Sequence, residues 1–582
     1  MSLQIWLPLN GDLMNQGLSS AIISGTPIYA TTGKIGGKSL NTGMLSITAS
    51  DAEKILNNKT FSYACWIYVN ADTGVTSGCS AFFGREPMSY GGNRQFTLFQ
   101  YDNVNSLHWS WQNNTVTDSS TFTNGILPNV FPSRQWTHLA VTYENPVIKF
   151  YINGKLKHTV SNAVSNSSSF NYTLPVAVGS ASRYLNDVRI YDHCLSEKEV
   201  KDLAKGLVLH YRLSGPGQEN LVKNSNKKII SGDYAVTSYE LSETLVLNQI
   251  YTITMKAKLT PDLKWIGIWS DGGGTNFAGC QARSENNFYK WTVTCNSSNA
   301  THNIFTIFAS NNNVGVMQGN TPKTGTCEIE WIKLEKGSVA TPWCPNPADS
   351  LYSTLGYNNN IEYDCSGYRR NGTKSGNIAW DIDSPRYTTS YKLNGTTVDT
   401  TSNTAIGAAY IVGPCQMPST SDITIAWWDK INKYGRGGIF ETTSATSNFQ
   451  DASDYNTTAF ANWDTTFGIY NGTTRIDIFN QIKIDSNWHH YAITYNGINI
   501  IVYRDGVEVQ KYALTGNLPA FNGIKIGLGK AGGVYRQINK NTSDFRIYAT
   551  ALSAEDIAEL YHSAVIVDNT GKNYAYEYFE AR

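Results

Sequence analysis

The stretch QWTHLAVTYENPVIKFYINGK, residues 135–155, recurs as NWHHYAITYNGINIIVYRDGV, residues 487–507. In both copies β-branched and aromatic residues alternate along the chain, a pattern typical of β-strands. Each run is then interrupted by a turn pair, Asn153–Gly154 in the first copy and Asp505–Gly506 in the second. Such pairs accept the positive φ angles of a tight hairpin. The sequence therefore predicts a duplicated strand-turn-strand unit with type I′ turns.

The repeat extends well beyond this hairpin. FSYACWIYV at residues 61–69 corresponds to ITIAWWDKI at residues 423–431. DVRIYDHCLSEKEVKDL at residues 187–203 corresponds to DFRIYATALSAEDIAEL at residues 544–560. Because the matching pieces occur in the same order, we predict two copies of a whole all-β domain.

A short helix is predicted at the end of each copy. Ser196 is followed three residues later by Glu199, and Ser553 is followed in the same way by Asp556. This spacing lets a hydroxyl and a carboxylate satisfy the first free backbone N–H groups of a helix. We therefore predict that each sandwich closes with a capped helix.

The second copy is interrupted by a different domain. LQIWLPLNG from Leu3 opens the first copy, and its match LVLHYRLSG begins at Leu207, whereas the next recognisable piece of the second copy starts only at Ile361. The interval contains its own alternating strands and ends in proline-rich sequence, which fits an inserted domain. The predicted domains are a first sandwich at 1–206, a discontinuous second sandwich at 207–215 plus 350–565, an inserted jelly roll at 216–349, and a tail strand at 566–582.

Composition excludes several classes of function. Lys+Arg and Asp+Glu both total 46, and the pI is near 7.1, so we expect neither nucleic acid nor an anionic membrane as a partner. No apolar run is long enough to insert into a membrane. The amino terminus lacks the basic and apolar regions of a signal peptide, so synthesis in a cytoplasm is expected. Aromatic residues reach 12%, which suits sugar-binding surfaces and sandwich cores alike.

The nine cysteines predict neither a disulfide framework nor a zinc site. Their number is odd, they are scattered, and they contain no CxxC pair. Cys280 and Cys295 fall on what we predict to be neighbouring strands, but free buried thiols are the favoured interpretation.

These motifs together resemble a known family. The LxxYxLxG start, the SGYxxNG loop, the W-x-H-x-A-x-T-Y strand and the DxRIYxxxLSxxE finish are similar to laminin-G-like, concanavalin-A-like domains, especially those of tailed-phage virion proteins and bacterial surface proteins. The inserted block, with ENLVKNS at residues 219–225 and WIKLEKGSVATPW at residues 331–343, resembles the carbohydrate-binding-module-like jelly rolls of phage tail and fibre proteins. The resemblance implies sandwiches of two antiparallel sheets and a virion location.

No catalytic residue is predicted. The ExDxxE strand used by glycan hydrolases on this scaffold is missing, and the nearest acidic alternation, Glu328 and Glu330, is better explained as paired surface carboxylates. His138 and His490 recur in the repeat without a recurring nucleophile or acid beside them. We expect them to be core or edge histidines hydrogen-bonded to backbone.

A calcium site is implied only by the family resemblance, because laminin-G-like domains often bind calcium at the rim of the sandwich. Asp187 and Asp544 recur before RIY and are the candidate ligands. A salt bridge with Arg189 or Arg546 is the favoured alternative.

Sugar binding requires aromatic platforms with neighbouring amides and carboxylates. The best local candidate is the group Trp265, Trp269, Asp271 and Asn276 in the inserted block, because the two tryptophans are four apart and share a strand face. An equally good alternative places Trp265 in the core and exposes only Trp269. Further candidates in the two sandwiches are Trp109, Trp111 and Trp463.

We therefore expect a non-enzymatic virion protein, from a tail fibre, baseplate or head decoration, whose lectin-like domains bind host surface glycans. Its other expected partners are virion proteins and further copies of itself on the particle. A purely structural decoration protein is the alternative. A glycan depolymerase is a third class, and it would require a pair of carboxylates in a groove.

Overall fold

The computed structural model describes most of the chain. The described residues are 3–17, 19, 21–48, 56, 59–70, 79–85, 96–101, 105–112, 122–161, 175–180, 183–213, 219–285, 287–311, 325–338, 340, 343–350, 361–362, 364–376, 378–381, 383–386, 390–393, 409–420, 422–433, 438–445, 460–463, 466–471, 474–479, 483, 485–531, 534–536 and 539–562. The predicted tail strand at 566–582 lies outside them. The fold is all-β, as predicted, and the described residues of each of the two sandwiches include one short helix.

The first sandwich is formed by the amino-terminal part of the chain. Its strands are β1 (Leu3–Leu7), β2 (Ile22–Gly25), β3 (Ile28–Ala30), β4 (Ser39–Thr48), β5 (Thr60–Val69), β6 (Cys79–Arg85), β7 (Phe96–Tyr101), β8 (Leu107–Gln112), β9 (Phe122–Leu127), β10 (Trp136–Glu144), β11 (Val147–Ile152), β12 (Lys155–Val160), β13 (Val176–Ser180) and β14 (Arg183–Tyr191). Helix α1 (Glu197–Ala204) follows β14.

Two antiparallel layers make up this sandwich. One has the order β12-β11-β10-β5-β14, and the other has the order β4-β13-β6-β7-β8-β9. The long strand β4 pairs with β14 near its start and with β13 further along, so it links the layers. Alternate residues of β5, such as Phe61, Tyr63 and Cys65, point into the core between the layers and are fully buried.

The inserted domain forms two sheets from its own strands. They are β16 (Ile229–Ser231), β17 (Ala235–Glu240), β18 (Ile250–Leu259), β19 (Trp265–Ser270), β20 (Thr275–Ala282), β21 (Phe288–Thr294), β22 (Ile304–Ser310) and β23 (Cys327–Lys336), with a 3-10 turn at Asp271–Gly273. The sheet orders are β16-β23-β18-β21 and β17-β22-β19-β20. Residues such as Ile253, Ile266 and Ile307 fill the space between the sheets.

The second sandwich takes its strands from both sides of the insertion. They are β15 (Leu207–Tyr211), β24 (Ile361–Glu362), β25 (Gly372–Ser375), β26 (Ile378–Asp381), β27 (Ser390–Leu393), β28 (Tyr410–Met417), β29 (Ile423–Lys433), β30 (Phe440–Thr443), β31 (Phe460–Trp463), β32 (Thr466–Asn471), β33 (Thr474–Phe479), β34 (Trp488–Tyr495), β35 (Asn499–Arg504), β36 (Val507–Ala513), β37 (Phe521–Ile526), β38 (Gly529–Ala531), β39 (Val534–Arg536) and β40 (Asn539–Tyr548), followed by helix α2 (Ala554–His562).

Its layers have the orders β26-β27-β40-β29-β34-β35-β36 and β24-β25-β28-β37-β30-β31-β32-β33. Strand β15, which precedes the insertion, pairs with β40 near the end of the chain, from Leu207 opposite Tyr548 to Tyr211 opposite Phe545. This pairing places the strand before the insertion in the same sheet as the strands after it.

The predicted local structures are present. Asn153 and Gly154 have φ angles of 48° and 75°, and Asp505 has a φ angle of 51°. These are the positive φ values of a type I′ hairpin. The capping box of helix α1 is complete, because the Ser196 hydroxyl accepts from the Glu199 N–H and the Glu199 carboxylate accepts from the Ser196 N–H.

The two sandwiches pack directly against each other. The rings of Trp6 and Tyr368 meet edge to face, with centroids 5.1 Å apart, and Lys34 forms a 2.8 Å ion pair with Asp422. The two helices are also neighbours, since Lys201 Nζ lies 2.9 Å from the Asp556 carboxylate. The first sandwich therefore lies against the domain that carries the insertion.

Among the described residues, Cys280 and Cys295 form no disulfide. Cys295 is buried, as the sequence favoured, whereas Cys280 is only partly buried. Within the described part of the chain, no helix is long and apolar enough to cross a membrane.

Candidate functional site

The outer face of the sheet β17-β22-β19-β20 carries a group of half-buried aromatic side chains. Along β19, Ile266 and Ile268 point into the core and are fully buried, whereas Trp265 and Trp269 are half-buried on the opposite face. Both tryptophans therefore face outward. Of the two sequence interpretations, the one that places Trp265 in the core is therefore wrong, and the one that places both tryptophans on the same outward face is correct.

The Trp269 ring lies over Gly267, where the sheet surface has no side chain. Gly267 stands between the two tryptophans on the same face, and a methyl group built on it would come within 2.6 Å of Cζ3 of Trp269. The six-membered part of the indole therefore occupies the space above Gly267. A side chain at residue 267 would displace the ring, so the glycine allows the indole to lie close to the sheet.

Two further rings extend this surface. Phe308 on β22 lies directly opposite Gly267, and its ring meets Trp269 edge to face at 5.4 Å. Tyr234 approaches the other side of Phe308 at 5.0 Å. The outward rings of Trp265, Trp269, Phe308 and Tyr234 are here called the guest platform.

Polar groups lie at the end of the guest platform beside Trp269. Asn276 is exposed and pairs with Trp269 across the sheet, and Asp271 is exposed on the following 3-10 turn. Asn299 is buried and donates from Nδ2 to the backbone oxygen of Asn276 at 2.9 Å. The platform therefore combines an apolar surface with exposed carboxylate and amide groups.

A serine, a histidine and an aspartate also meet at this end of the sheet. The Ser270 hydroxyl is 3.0 Å from Nδ1 of His302, whose Nε2 is 4.0 Å from the Asp271 carboxylate. Ser270 is fully buried and also accepts a hydrogen bond from Asn299 at 3.0 Å. A nucleophile must reach its substrate, so we interpret this group as a structural support of the platform.

The sequence identified half of this platform. Trp265, Trp269, Asp271 and Asn276 lie on one face or at its end, as the strand pattern predicted. Phe308 and Tyr234 were missed. The signal for Phe308 was available, because Phe305 and Ile307 alternate with it along HNIFTIFAS and are buried in the core.

Trp109 corrects one sequence prediction. Its side chain is only 2% exposed and packs in the core of the first sandwich, with its ring 5.3 Å from that of Phe150. A buried ring cannot stack on a sugar, so Trp109 is not a ligand platform. Trp111 lies on β8 and Trp463 on β31, but their side chains are outside the described part of the structure.

Asp187, the first of the two candidate calcium ligands, has a structural role. Its Oδ1 accepts a hydrogen bond from the Trp6 indole at 2.6 Å and lies 3.1 Å from Nε of Arg189. The carboxylate is therefore already engaged by side chains of its own sandwich, and the salt-bridge alternative holds.

Asp544 repeats this arrangement with more partners. Its carboxylate is 2.7 Å from Nε of Arg546, 2.8 Å from Nε of Arg386 and 2.9 Å from Nε2 of His210. Burial alone would raise the pKa of Asp544, but Arg546, His210 and Arg386 hold that pKa well below its usual value. The salt-bridge alternative therefore holds here as well. Within the described residues, no group of three or more His, Cys, Asp or Glu could hold a metal ion.

The recurring histidines are buried against tryptophans. The His138 ring is 5.1 Å from that of Trp66, and the His490 ring is 5.2 Å from that of Trp428. Burial lowers the pKa of each histidine to about 3. The prediction of a hydrogen bond to backbone is wrong for Nδ1, because in both rings this atom is buried without a hydrogen-bond partner. Ring packing therefore holds these side chains in place.

The acidic alternation on β23 consists of two surface ion pairs. Glu328 lies 2.6 Å from Lys228, and Glu330 lies 2.8 Å from Lys256. This is the arrangement that the sequence favoured for these two carboxylates.

Comparison with known families assigns the two sandwiches. The family model of the concanavalin A-like lectin/glucanases superfamily matches residues 41–201 and 394–558, together more than half of the chain. The chain therefore belongs to this superfamily. Each matched range falls within one of the two sandwiches, and neither includes the inserted domain. A search of curated proteins finds no match.

Several solved structures resemble parts of the fold. Domain 4 of AbnA, a GH43 extracellular arabinanase from Geobacillus stearothermophilus in complex with arabinotriose, is 17% identical and covers 36% of this chain and 95% of that one, with a TM-score of 0.26. The receptor binding domain of botulinum neurotoxin mosaic serotype C/D is 10% identical and covers 92% and 97%, with a TM-score of 0.30.

The CBM40 of the Ruminococcus gnavus IT-sialidase, bound to alpha2,3 sialyllactose, is 14% identical and covers 31% of this chain and 97% of that one, with a TM-score of 0.22. All three TM-scores are below 0.5, so these likenesses support no conclusion about the ligands of this chain.

Proposed function

We propose that this protein is a non-enzymatic, lectin-like virion protein that binds glycans on the host surface through its inserted domain. The observation that carries the proposal is the guest platform. Its outward rings include Trp269 above Gly267, with Phe308 at 5.4 Å, and Asn276 and Asp271 stand at its end. Pyranose rings present C–H faces that pack on aromatic rings, while their hydroxyls require amides and carboxylates as partners.

The virion location, as part of a tail fibre, baseplate or head decoration, is supported by the resemblance of the sequence motifs to phage proteins. The same resemblance suggests other virion proteins and further copies of the chain as partners. We assign no catalytic residue. Of the polar groups at the platform, the buried Ser270 hydroxyl is held by Asn299 and His302.

A glycan array probed with the intact protein tests the binding function. We expect binding to host-envelope glycans and at least a tenfold loss of affinity in Trp269→Ala. Trp488→Ala is the matched control, because Trp488 is a half-buried tryptophan of another domain. We expect this control to keep the affinity of the wild type for the glycan bound at the guest platform.

The same measurements separate glycan binding from a structural decoration role. If the intact protein binds neither the array nor host envelopes, the lectin-like function is wrong and the structural alternative is favoured. If purified glycan is shortened by the protein, the non-enzymatic part of the proposal is wrong. Labelling of intact particles with an antibody to the inserted domain tests the virion location.

A further inference from the structure

A second aromatic surface lies in the first sandwich. Trp136 on β10, Tyr68 on β5 and Tyr184 on β14 face one another across three neighbouring strands. The Trp136 and Tyr68 rings are 5.4 Å apart, and the Tyr68 and Tyr184 rings are 5.5 Å apart and nearly parallel. These three residues are here called the aromatic row. Three neighbouring strands span roughly 10 Å, a length comparable to a disaccharide.

The aromatic row lies at the open end of its sheet face. The next three residues on the same face, His138, Trp66 and Asn186, are all buried. Further along, Ala64 and Ala140 are covered by helix α1. The three residues of the row are half-buried instead. The row is therefore partly open to solvent where the rest of the face is covered, and Trp136 also packs against the core cluster that contains Trp66.

In the second sandwich the position equivalent to the aromatic row is covered by another part of the chain. The residues that correspond to Trp136, Tyr68 and Tyr184 are Trp488, Lys430 and Asn541, which are aligned in the same register on β34, β29 and β40.

In this copy Asp383 covers the row. The Trp488 indole donates to Oδ1 of Asp383 at 2.9 Å, and Lys430 Nζ lies 2.5 Å from Oδ2. Asn541 accepts a hydrogen bond from Asn432 at 2.8 Å. In the second sandwich the Asp383 carboxylate therefore binds both the Trp488 indole N–H and the Lys430 ammonium group.

The first sandwich leaves the equivalent donor open. Among the described residues, the Trp136 indole N–H has no hydrogen-bond partner, and tyrosine replaces the lysine and the asparagine of the second copy. Asn70 lies beside the row, and its Nδ2 donates to the Tyr184 hydroxyl at 3.4 Å. The position offers an apolar strip, an indole donor and a tyrosine hydroxyl, and none of its three rings carries a charge.

We propose that the aromatic row is a second carbohydrate-binding site, which takes a neutral pyranose oligosaccharide. The sugar packs against the outer parts of the three rings. One sugar oxygen accepts a hydrogen bond from the Trp136 indole N–H, in the same way as Asp383 accepts one from the Trp488 indole in the second sandwich. No residue of the row carries a charge, because Tyr68 stands where the second copy has Lys430, and Lys34, which lies over the adjoining Trp66 ring, is paired with Asp422. It lies in a different domain from the guest platform and does not depend on it.

The test replaces the row with the residues of the second copy. The double variant Tyr68→Lys with Tyr184→Asn and the variant Trp269→Ala are compared with the wild type by titration calorimetry, using neutral hexose and N-acetylhexosamine oligosaccharides. We expect Trp269→Ala to keep binding to at least one of these sugars. The double variant should weaken that binding at least tenfold. Trp136→Phe, which keeps an aromatic ring but removes the indole donor, should weaken it about threefold to tenfold.

The outcomes separate this site from the guest platform. Loss of all sugar binding in Trp269→Ala, or unchanged affinities in both row variants, overturns the second site and leaves the proposed function intact. Loss of binding only in the row variants supports the second site and contradicts the guest platform. No binding of any sugar by the wild type overturns both. If the double variant does not fold, Trp136→Phe alone decides between these outcomes.

Discussion

Asn220 and Asn346 hold the two ends of the inserted domain together. The Asn346 side chain donates to the backbone oxygen of Asn220 at 2.6 Å, and the Asn220 side chain donates to the backbone oxygen of Cys344 at 2.9 Å. Both asparagines are fully buried. The inserted domain therefore leaves its host sandwich and returns to it from neighbouring points, which keeps the entropic cost of the insertion small.

Substitution of Asn220 by alanine should unfold the inserted domain first. The Asn220 side chain also donates to Ile332, and its oxygen accepts from the N–H groups of Val222 and Leu334. Leaving buried groups unsatisfied costs about 1–3 kcal/mol each. We expect Asn220→Ala to lower the stability of this domain by at least ~3 kcal/mol, measured by calorimetry. Asn303→Ala, at an exposed asparagine, is the control and should change little.

A buried ion pair in the second sandwich should be costly to break. Lys540 Nζ lies 2.9 Å from both carboxylate oxygens of Asp429, and neither side chain is exposed. We expect Asp429→Ala to destabilise the protein by about 3–5 kcal/mol, because it leaves Lys540 buried without its counter-charge. Urea unfolding measures this loss. Asp429→Val combined with Lys540→Met should recover most of it.

The exposed pair between Lys149 and Glu197, at 3.4 Å, provides the comparison for Asp429. We expect Glu197→Ala to change the free energy of unfolding by less than ~1 kcal/mol, because solvent screens an exposed pair. Equal effects of Glu197→Ala and Asp429→Ala would contradict the role of burial.

Acid should destabilise the protein through its buried histidines. Burial lowers the pKa of His138 and His490 to about 3 and that of His210 to about 4, from an ordinary value near 6.5. Below pH 6.5 the unfolded chain therefore binds protons that the folded chain does not. The contribution of each buried histidine to the free energy of unfolding is therefore fully present above pH 6.5 and is lost as the pH falls toward 3. At pH 5 the loss is about 2 kcal/mol per buried histidine.

His138→Phe tests this dependence, because the phenyl ring can still pack on Trp66. Urea unfolding at pH 7 and pH 5 should show a loss of stability that is about 2 kcal/mol smaller in the variant than in the wild type. His158→Phe, at an exposed histidine, should show the loss of the wild type. An unchanged pH dependence in His138→Phe would exclude His138 as a source of the effect.

Glycine at residue 267 should be required for sugar binding at the guest platform. A methyl group at this position would come within 2.6 Å of the Trp269 ring and within 2.8 Å of the Gly279 backbone oxygen, so both the ring and the neighbouring strand would have to move. We expect Gly267→Ala to weaken glycan binding at the guest platform at least threefold, measured by calorimetry. Gly232→Ala, where nothing lies within 4 Å of the added methyl group, should bind as the wild type does. Full affinity in Gly267→Ala would argue against the observed position of the Trp269 ring as the binding surface.

Local chemistry made much of the fold predictable. The turn at Asn153–Gly154 and the capped helix after Ser196 were predicted correctly because both depend on neighbouring residues. The sequence also related the strand at Leu207 to the strand at Leu3, and the observed pairing of β15 with β40 agrees with that relation.

The candidate binding surfaces were only partly predictable. Trp109 and Trp269 both occur in alternating strands, yet Trp109 is buried and Trp269 faces outward. Alternation determines which residues share a face, but the layer that packs against the strand decides which face becomes the core.

The sequence by itself thus determined the repeat, the turns and the helix caps. Only the tertiary structure decided that Trp136, Tyr68 and Tyr184 form one row, because strand register joins residues that are far apart in the chain. It also decided that the equivalent row at Trp488 is closed, since Asp383 reaches it from a segment outside the repeated motifs.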